Sequence, residues 1–236
     1  MSVKIFESPE ELAEAAARAF VKGAERAVAE RGRFAVALAG GSTPKRTYEV
    51  LARDHAGDVD WPNAHVFFGD ERTVSPDHED SNYRMAREAL LDHVPVGSVH
   101  RMRGEAPPEE AAASYERELR EFFAEEPPVL DLVMLGIGPD GHTASLFPGT
   151  PALEVTDRLA VANPVPKLDT TRITLTAPIL SAAREVLFLV AGGDKAGALA
   201  GILDGDADPR EYPAKLVRPP GGPTWMVDRA AAQSSG

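Results

Sequence analysis

Asp131-Leu-Val-Met-Leu-Gly-Ile-Gly-Pro-Asp-Gly-His-Thr-Ala-Ser-Leu-Phe-Pro-Gly149 decides how the chain is read. A short apolar run passes directly into a turn that is broken by glycines and carries Asp140 and His142. Bounded by turn residues, the run Leu132–Leu135 reads as a buried strand. Strands buried on both faces belong to parallel sheets covered by helices, and open sheets of that kind place ligands at the carboxyl ends of their strands. The turn after Leu135 is therefore a candidate site on a rigid support.

Gly136, Gly138 and Gly141 also match the letters of the dinucleotide fingerprint G-x-G-x-x-G. That fingerprint needs a long helix after its third glycine and an acidic residue closing the next strand, about 20 residues on. Here Pro148 and Gly149 stop any helix within two turns, and Asp157 precedes the next apolar run instead of ending it. The residues argue against a nicotinamide or flavin site.

Outward from this stretch the chain alternates helices and strands. Ser8-Pro-Glu-Glu11 is a capping box with proline at the first helical position, and Leu12, Ala16, Ala19, Phe20, Ala27 and Val28 recur at helical spacing up to Gly32. The spacing then predicts a strand over Phe34–Leu38, a helix from Pro44, a strand over 65–68 and a helix over 81–91. Pro107 and Pro108 open a further helix with Tyr115, Leu119, Phe122 and Phe123 on its apolar side, and Pro127-Pro128 close it. Later strands are expected near 159–162, 173–175, 186–190 and 224–227, and residues 204–223, rich in Pro, Gly and Asp, as an irregular surface stretch. The expected fold is a single α/β domain over residues 1–236, with a mainly parallel central sheet flanked by helices on both faces, Rossmann-like.

Composition narrows the function classes. The chain has 236 residues, 43% of them hydrophobic, enough to bury a large core. It contains no cysteine, which excludes a thiol nucleophile or thiolate metal site and suits a reducing cytoplasm. No apolar stretch approaches membrane-spanning length, and Met1-Ser-Val-Lys-Ile-Phe-Glu-Ser8 lacks a signal-peptide core, so a cytoplasmic location is expected. The formal net charge of −12 argues against nucleic acid or an anionic membrane as partner. A small anion remains compatible where cations and backbone N–H groups gather locally.

Three further loops follow predicted strands. In Ala39-Gly-Gly-Ser-Thr-Pro44, paired glycines let backbone approach a ligand, and a helix starting at Thr43-Pro44 offers free N–H groups. The same residues equally suit a plain turn capped by Thr43, and their spacing is not that of a P-loop. Gly69-Asp-Glu-Arg72 places three charges after Val66-Phe67-Phe68, the pattern of a site or of a solvated loop. Gly192-Gly-Asp-Lys195 puts a lysine at a helix start, where the helix dipole disfavours it unless an anion lies between; Asp194 as the N-cap with a solvent-facing lysine is the alternative.

Together, Ala39-Gly-Gly-Ser-Thr-Pro44, Gly69-Asp-Glu-Arg72, Ser81-Asn-Tyr83, the histidine motif of residues 136–148, Thr171-Arg-Ile-Thr-Leu-Thr176 and Gly193-Asp-Lys195 resemble, in order, the motifs of the 6-phosphogluconolactonases. The likeness runs from Ile5 to Ala232 and includes Thr224-Trp-Met-Val-Asp228. It implies the fold of the glucosamine-6-phosphate deaminases and hydrolysis of 6-phospho-D-glucono-1,5-lactone to 6-phosphogluconate, the second step of the oxidative pentose phosphate pathway. No metal, no organic cofactor and no obligate protein partner is implied. Carried over by position, His142 is the general base and Asp140 orients or polarises it, Arg72 and Asp70 line the lactone end, and Gly40, Gly41, Ser42, Thr43, Arg172 and Lys195 bind the phosphate. An ester of this kind needs an activated water and a stabilised oxyanion, with the distant phosphate serving as anchor.

Two other readings compete. A glucosamine-6-phosphate deaminase would share fold and phosphate loops but carries a second acid shortly after the histidine, where this chain has Phe147. A non-catalytic sugar-phosphate sensor would have no need of Asp140, His142 and Arg72 together. The run Asp77-His-Glu-Asp80 reads as a solvated loop with Asp80 or Ser81 capping the next helix, and His55, His65, His93 and His100 show no partner pattern.

Overall fold

The Ser8 side chain accepts from Glu11 N at 3.2 Å, and Gly32 at φ 71 ends the first helix, so both boundaries fall where the sequence set them. Glu11 reaches back to Glu7 N, one residue short of the usual capping-box partner. The computed structural model describes residues 1–124 and 128–233; Pro127 lies outside them, and the helix it was expected to close ends at Phe123 with Ala124 at φ 51. In chain order the elements are β1 (Ser2–Phe6), α1 (Pro9–Arg31), β2 (Phe34–Leu38), α2 (Ser42–Asp54), β3 (Ala64–Phe68), β4 (Asp70–Arg72), α3 (Asn82–Ala89) and β5 (Ser98–Val99). They continue with α4 (Pro108–Phe123), β6 (Leu132–Leu135), β7 (Ala160–Val165), β8 (Thr170–Leu175), α5 (Ala177–Ala182), β9 (Glu185–Val190), α6 (Ala196–Leu203), β10 (Thr224–Asp228) and α7 (Arg229–Ala232).

Seven strands form one parallel sheet in the order β1-β10-β9-β6-β2-β3-β5. Alternate residues of its strands enter two different cores. Ala35, Ala37, Val133, Leu135, Val186 and Phe188 face one side with α4, α5 and α6, whereas Phe34, Val36, Leu38, Leu132 and Met134 face the other with α1, α2 and α3. Burial on both faces is what makes Phe-Ala-Val-Ala-Leu38 and Leu-Val-Met-Leu135 uninterrupted apolar runs. From β2 the chain steps outward through β3 and β5, then returns to the other side of β2 with β6 and steps outward again through β9 and β10. The direction reverses between β2 and β6, so the loops after these two strands flank the crevice where open sheets bind ligands.

A second, antiparallel sheet of order β4-β8-β7 was not anticipated. Gly69-Asp-Glu-Arg72, expected as a loop, supplies β4, with Asp70 opposite Thr174 and Arg72 opposite Arg172. Its two carboxylates are not solvated: Asp70 is 8% exposed and Glu71 2%. Gly69 links the sheets through backbone alone, donating to Leu38 O and accepting from Leu175 N. Two other expectations shift. Helix α2 begins at Ser42 rather than Pro44, with Gly41 at φ 99 as an N-cap that offers no side chain, so Thr43 is not the cap. Residues 204–223 are more than surface: Pro213, Ala214 and Val217 are buried, and Tyr212 packs so closely over Gly141 that a Cβ there would stand 2.8 Å from its ring. Among the described residues no helix is long and apolar enough to cross a membrane.

Candidate active site

The loop after β6 is stitched to itself. Gly138 N donates to His142 O at 2.9 Å, Gly141 N to Gly138 O at 3.0 Å and Thr143 Oγ1 to Gly136 O at 2.8 Å, while Gly141 at φ 76 makes the sharp turn. No α-helix follows, which removes the dinucleotide reading. Gly138 is needed for another reason: a Cβ there would lie 2.0 Å from His142 Nδ1, so the imidazole rests where only glycine leaves room. At the far end of the loop, Ser145 O accepts from Asn163 Nδ2 at 2.8 Å and Ser145 N donates to Thr174 Oγ1 at 3.2 Å, tying the histidine to the second sheet.

His142 Nδ1 and Asp140 Oδ1 are 2.5 Å apart. With Asp140 ionised, this contact assigns the proton to Nδ1 and leaves Nε2 as the basic nitrogen. The Phe147 ring stacks on the imidazole at 4.1 Å. Burial is the main cause of a His142 pKa pushed down to about 4; Asp70 opposes this drop, and Lys195, Arg172 and Arg72 reinforce it. The neighbouring Asp140 carboxylate is itself paired with Lys167, whose ammonium meets Oδ2.

These groups line a cavity of about 620 Å³ at the reversal point of the main sheet. It brings together Gly40, Gly41, Asp70, Arg72, Asp140, His142, Arg172 and Lys195 from the sequence-predicted set. Ser42 and Thr43, in the first turn of α2, are not among its lining residues. Because Gly41 offers no capping side chain, the N–H groups of that turn have no side-chain acceptor. Gly40 brings the backbone against Asn82, where a Cβ would come within 2.0 Å of Oδ1.

Asp70 is held at both oxygens, by Asn82 Nδ2 at 3.2 Å and Ser145 Oγ at 2.6 Å. Glu71 points the other way and accepts from Asn82 N at 2.7 Å, Tyr83 N at 2.8 Å and Ser81 Oγ at 3.1 Å, pinning the start of α3 to β4. Ser81, not Asp80, is the cap of that helix. Arg72 donates to Asp80 O. Arg172 Nε is buried with no hydrogen-bond partner among the described residues, and the Arg172 pKa is lowered first by burial and then by Arg72. Lys195 pairs with Asp194 at 2.9 Å, and Asp194 is not a helix cap; Asp228, at the end of β10, takes Gly192 N at 3.1 Å instead. Two arginines in facing register, a lysine and an uncapped helix start thus converge in a strongly acidic chain, an arrangement that an anion would stabilise.

Sequence reasoning missed Lys167, Asn82 and Ser145 as individual contributors. Asn82 and Ser145 sat inside quoted motifs, but only tertiary contact reveals that they hold Asp70; Lys167 carried no local signal. The other histidines have partners that sequence did not show. His65 Nδ1 lies 2.8 Å from Ser98 Oγ, which lies 2.7 Å from His100 Nε2, and His100 Nδ1 meets Glu118 at 2.7 Å. None of them lines the cavity.

Comparison with known proteins accords with this geometry. Residues 7–226 match the family model described as glucosamine-6-phosphate isomerases/6-phosphogluconolactonase. A 6-phosphogluconolactonase of Synechocystis is 50% identical over 216 residues, covering 89% of this chain and 88% of that protein. The structure of a 6-phosphogluconolactonase from Trypanosoma brucei superimposes with a TM-score of 0.87 at 30% identity, covering 100% of this chain and 98% of the other. A monomeric glucosamine-6-phosphate deaminase shares the fold, with a TM-score of 0.80 at 25% identity, covering 98% of this chain and 99% of the other. The chain belongs to the glucosamine-6-phosphate isomerase/6-phosphogluconolactonase family, on its 6-phosphogluconolactonase side.

Proposed function

We propose that the cavity hydrolyses 6-phospho-D-glucono-1,5-lactone to 6-phosphogluconate, with His142 as the general base. The carrying observation is the Asp140–His142 contact of 2.5 Å, which commits Nδ1 and leaves Nε2 free to take a proton from water. Water oxygen bonds to the lactone carbonyl carbon as its proton passes to Nε2. The ring C–O bond of the tetrahedral intermediate then breaks, and the proton is returned to the departing hydroxyl oxygen.

Arg72 is assigned to the oxyanion, with Asp70 beside it to hold a substrate hydroxyl. Arg172, Lys195 and the backbone of residues 40–43 take the phosphate, because anchoring a distant dianion lets binding energy orient the ester. The reaction as drawn uses no metal and no organic cofactor. Phe147, 5% exposed and stacked on His142, disfavours the deaminase reading, since an apolar ring transfers no proton for ring opening.

Freshly prepared lactone mixed with the protein tests the proposal through acid release above the spontaneous rate. Release no faster than without protein, or ammonia release from glucosamine 6-phosphate at a rival rate, sinks it.

A further inference from the structure

Asp140 is gripped at both oxygens. Oδ1 meets His142 Nδ1 and Oδ2 receives the ammonium of Lys167, which comes from the other sheet. Lys167 stands in the turn Pro166–Leu168 that joins β7 to β8. Pro164 and Pro166 fix the backbone on its approach, and Asp169 at φ 48 closes the turn, so the lysine projects from a stiff hairpin tip. The same ammonium lies 4.8 Å from the centroid of Phe147, the ring stacked on His142.

Charges approach His142 from every neighbouring element: Asp140 from its own loop, Lys167 from the hairpin, Asp70 and Arg72 from β4, Arg172 from β8, and Lys195 from the turn before α6. Of these, Asp140 is in contact with the imidazole, and a bare carboxylate in that place would favour the charged ring. We propose that Lys167 is a positioning residue for the hydrolysis: by holding Asp140 Oδ2 it fixes the carboxylate against His142 Nδ1 and offsets its charge, keeping His142 a neutral base. The inference rests on His142 acting as the base.

The sign of its removal follows. Without the ammonium, Asp140 stabilises the imidazolium, so His142 titrates at higher pH and ceases to be available as a base at a less acidic pH. Lys167→Met and Lys167→Arg test this in the full-length protein. With ring-labelled histidine, and the His142 signal assigned by its loss in His142→Gln, NMR titration should move up by about one pH unit in Lys167→Met and return in Lys167→Arg. The acidic limb of kcat/KM for the lactone should move the same way, and the loosened carboxylate should lower kcat near neutral pH about tenfold by misplacing the imidazole. An unchanged His142 titration in Lys167→Met overturns the proposal. So does a rise in KM confined to the phosphorylated lactone, sparing unphosphorylated gluconolactone, with the pH profile intact; Lys167 would then be a phosphate ligand. A wild type without lactonase activity would defeat the functional reading itself, while the NMR titration would still decide whether Lys167 governs His142.

Discussion

The two sheets of this molecule meet at one cavity and contribute to it in different ways. The seven-stranded parallel sheet delivers backbone: the glycine loops after β2 and β6, the open start of α2 and the imidazole locked over Gly138. The three-stranded antiparallel sheet delivers charge: Asp70, Arg72, Arg172 and, at its hairpin tip, Lys167. The central strands β2 and β6, buried throughout, hold their loops rigidly but are wholly apolar and supply no ion of their own. The smaller sheet turns Asp70, Arg72 and Arg172 to the cavity. The division teaches that rigid backbone and charged strand positions come from separate supports, while the proposed base, oxyanion and phosphate groups draw on both.

The largest expected effect breaks the contribution of the parallel sheet. His142→Ala should lower kcat by about 10² to 10⁴ with the circular dichroism spectrum retained, as expected for loss of a general base. Near-normal turnover in that folded variant would remove His142 from the chemistry. Gly138→Ala adds no charge and deletes no functional group, yet its Cβ would stand 2.0 Å from His142 Nδ1. The displaced imidazole should cost about 10²-fold in kcat, because small misplacements at a reacting centre are expensive. Rates equal to wild type would show that the loop yields and that its rigidity is not what positions the base.

The contribution of the smaller sheet is smaller per residue and shows in binding. Arg172→Ala should raise KM for the phosphorylated lactone about 10- to 100-fold, since a hydrogen bond to a charged group contributes about 1.5–3 kcal/mol. Lys195→Ala, from the α6 end of the parallel sheet, should act in the same direction. Both variants should change hydrolysis of unphosphorylated gluconolactone far less, and equal losses on both substrates would show that neither residue anchors phosphate. Thermal stability of Arg172→Ala should hold or rise, because Arg172 faces Arg72 and its buried Nε has no partner among the described residues.

The subtlest test concerns pH. His142 is held well below the ordinary imidazole range, near 4, by burial and by three cations, so it stays an unprotonated base as the solution is acidified past the usual histidine midpoint. The acidic limb of kcat/KM should therefore fall below pH 6.5, toward that value, measured where spontaneous lactone hydrolysis is slow. A limb centred at or above the ordinary histidine value would show that Asp140 outweighs the cations.

Periodicity and capping alone marked α1 between Ser8 and Gly32, β2 and β6, since each is governed by neighbours within a few residues. The glycine turn with Asp140 and His142 was legible for the same reason: two side chains two residues apart on a sharp turn must lie close, and at 2.5 Å they do. Tertiary structure alone made Gly69-Asp-Glu-Arg72 a strand. Its charges conceal any apolar alternation, and its hydrogen-bond partners on β8 lie about a hundred residues away in the chain. It also set Asn82 and Ser145 on Asp70, and Lys167 on Asp140. Local sequence fixes backbone conformation through steric and short-range hydrogen-bonding terms, whereas the charge balance around His142 depends on which distant strands pair, and only the folded chain settles that.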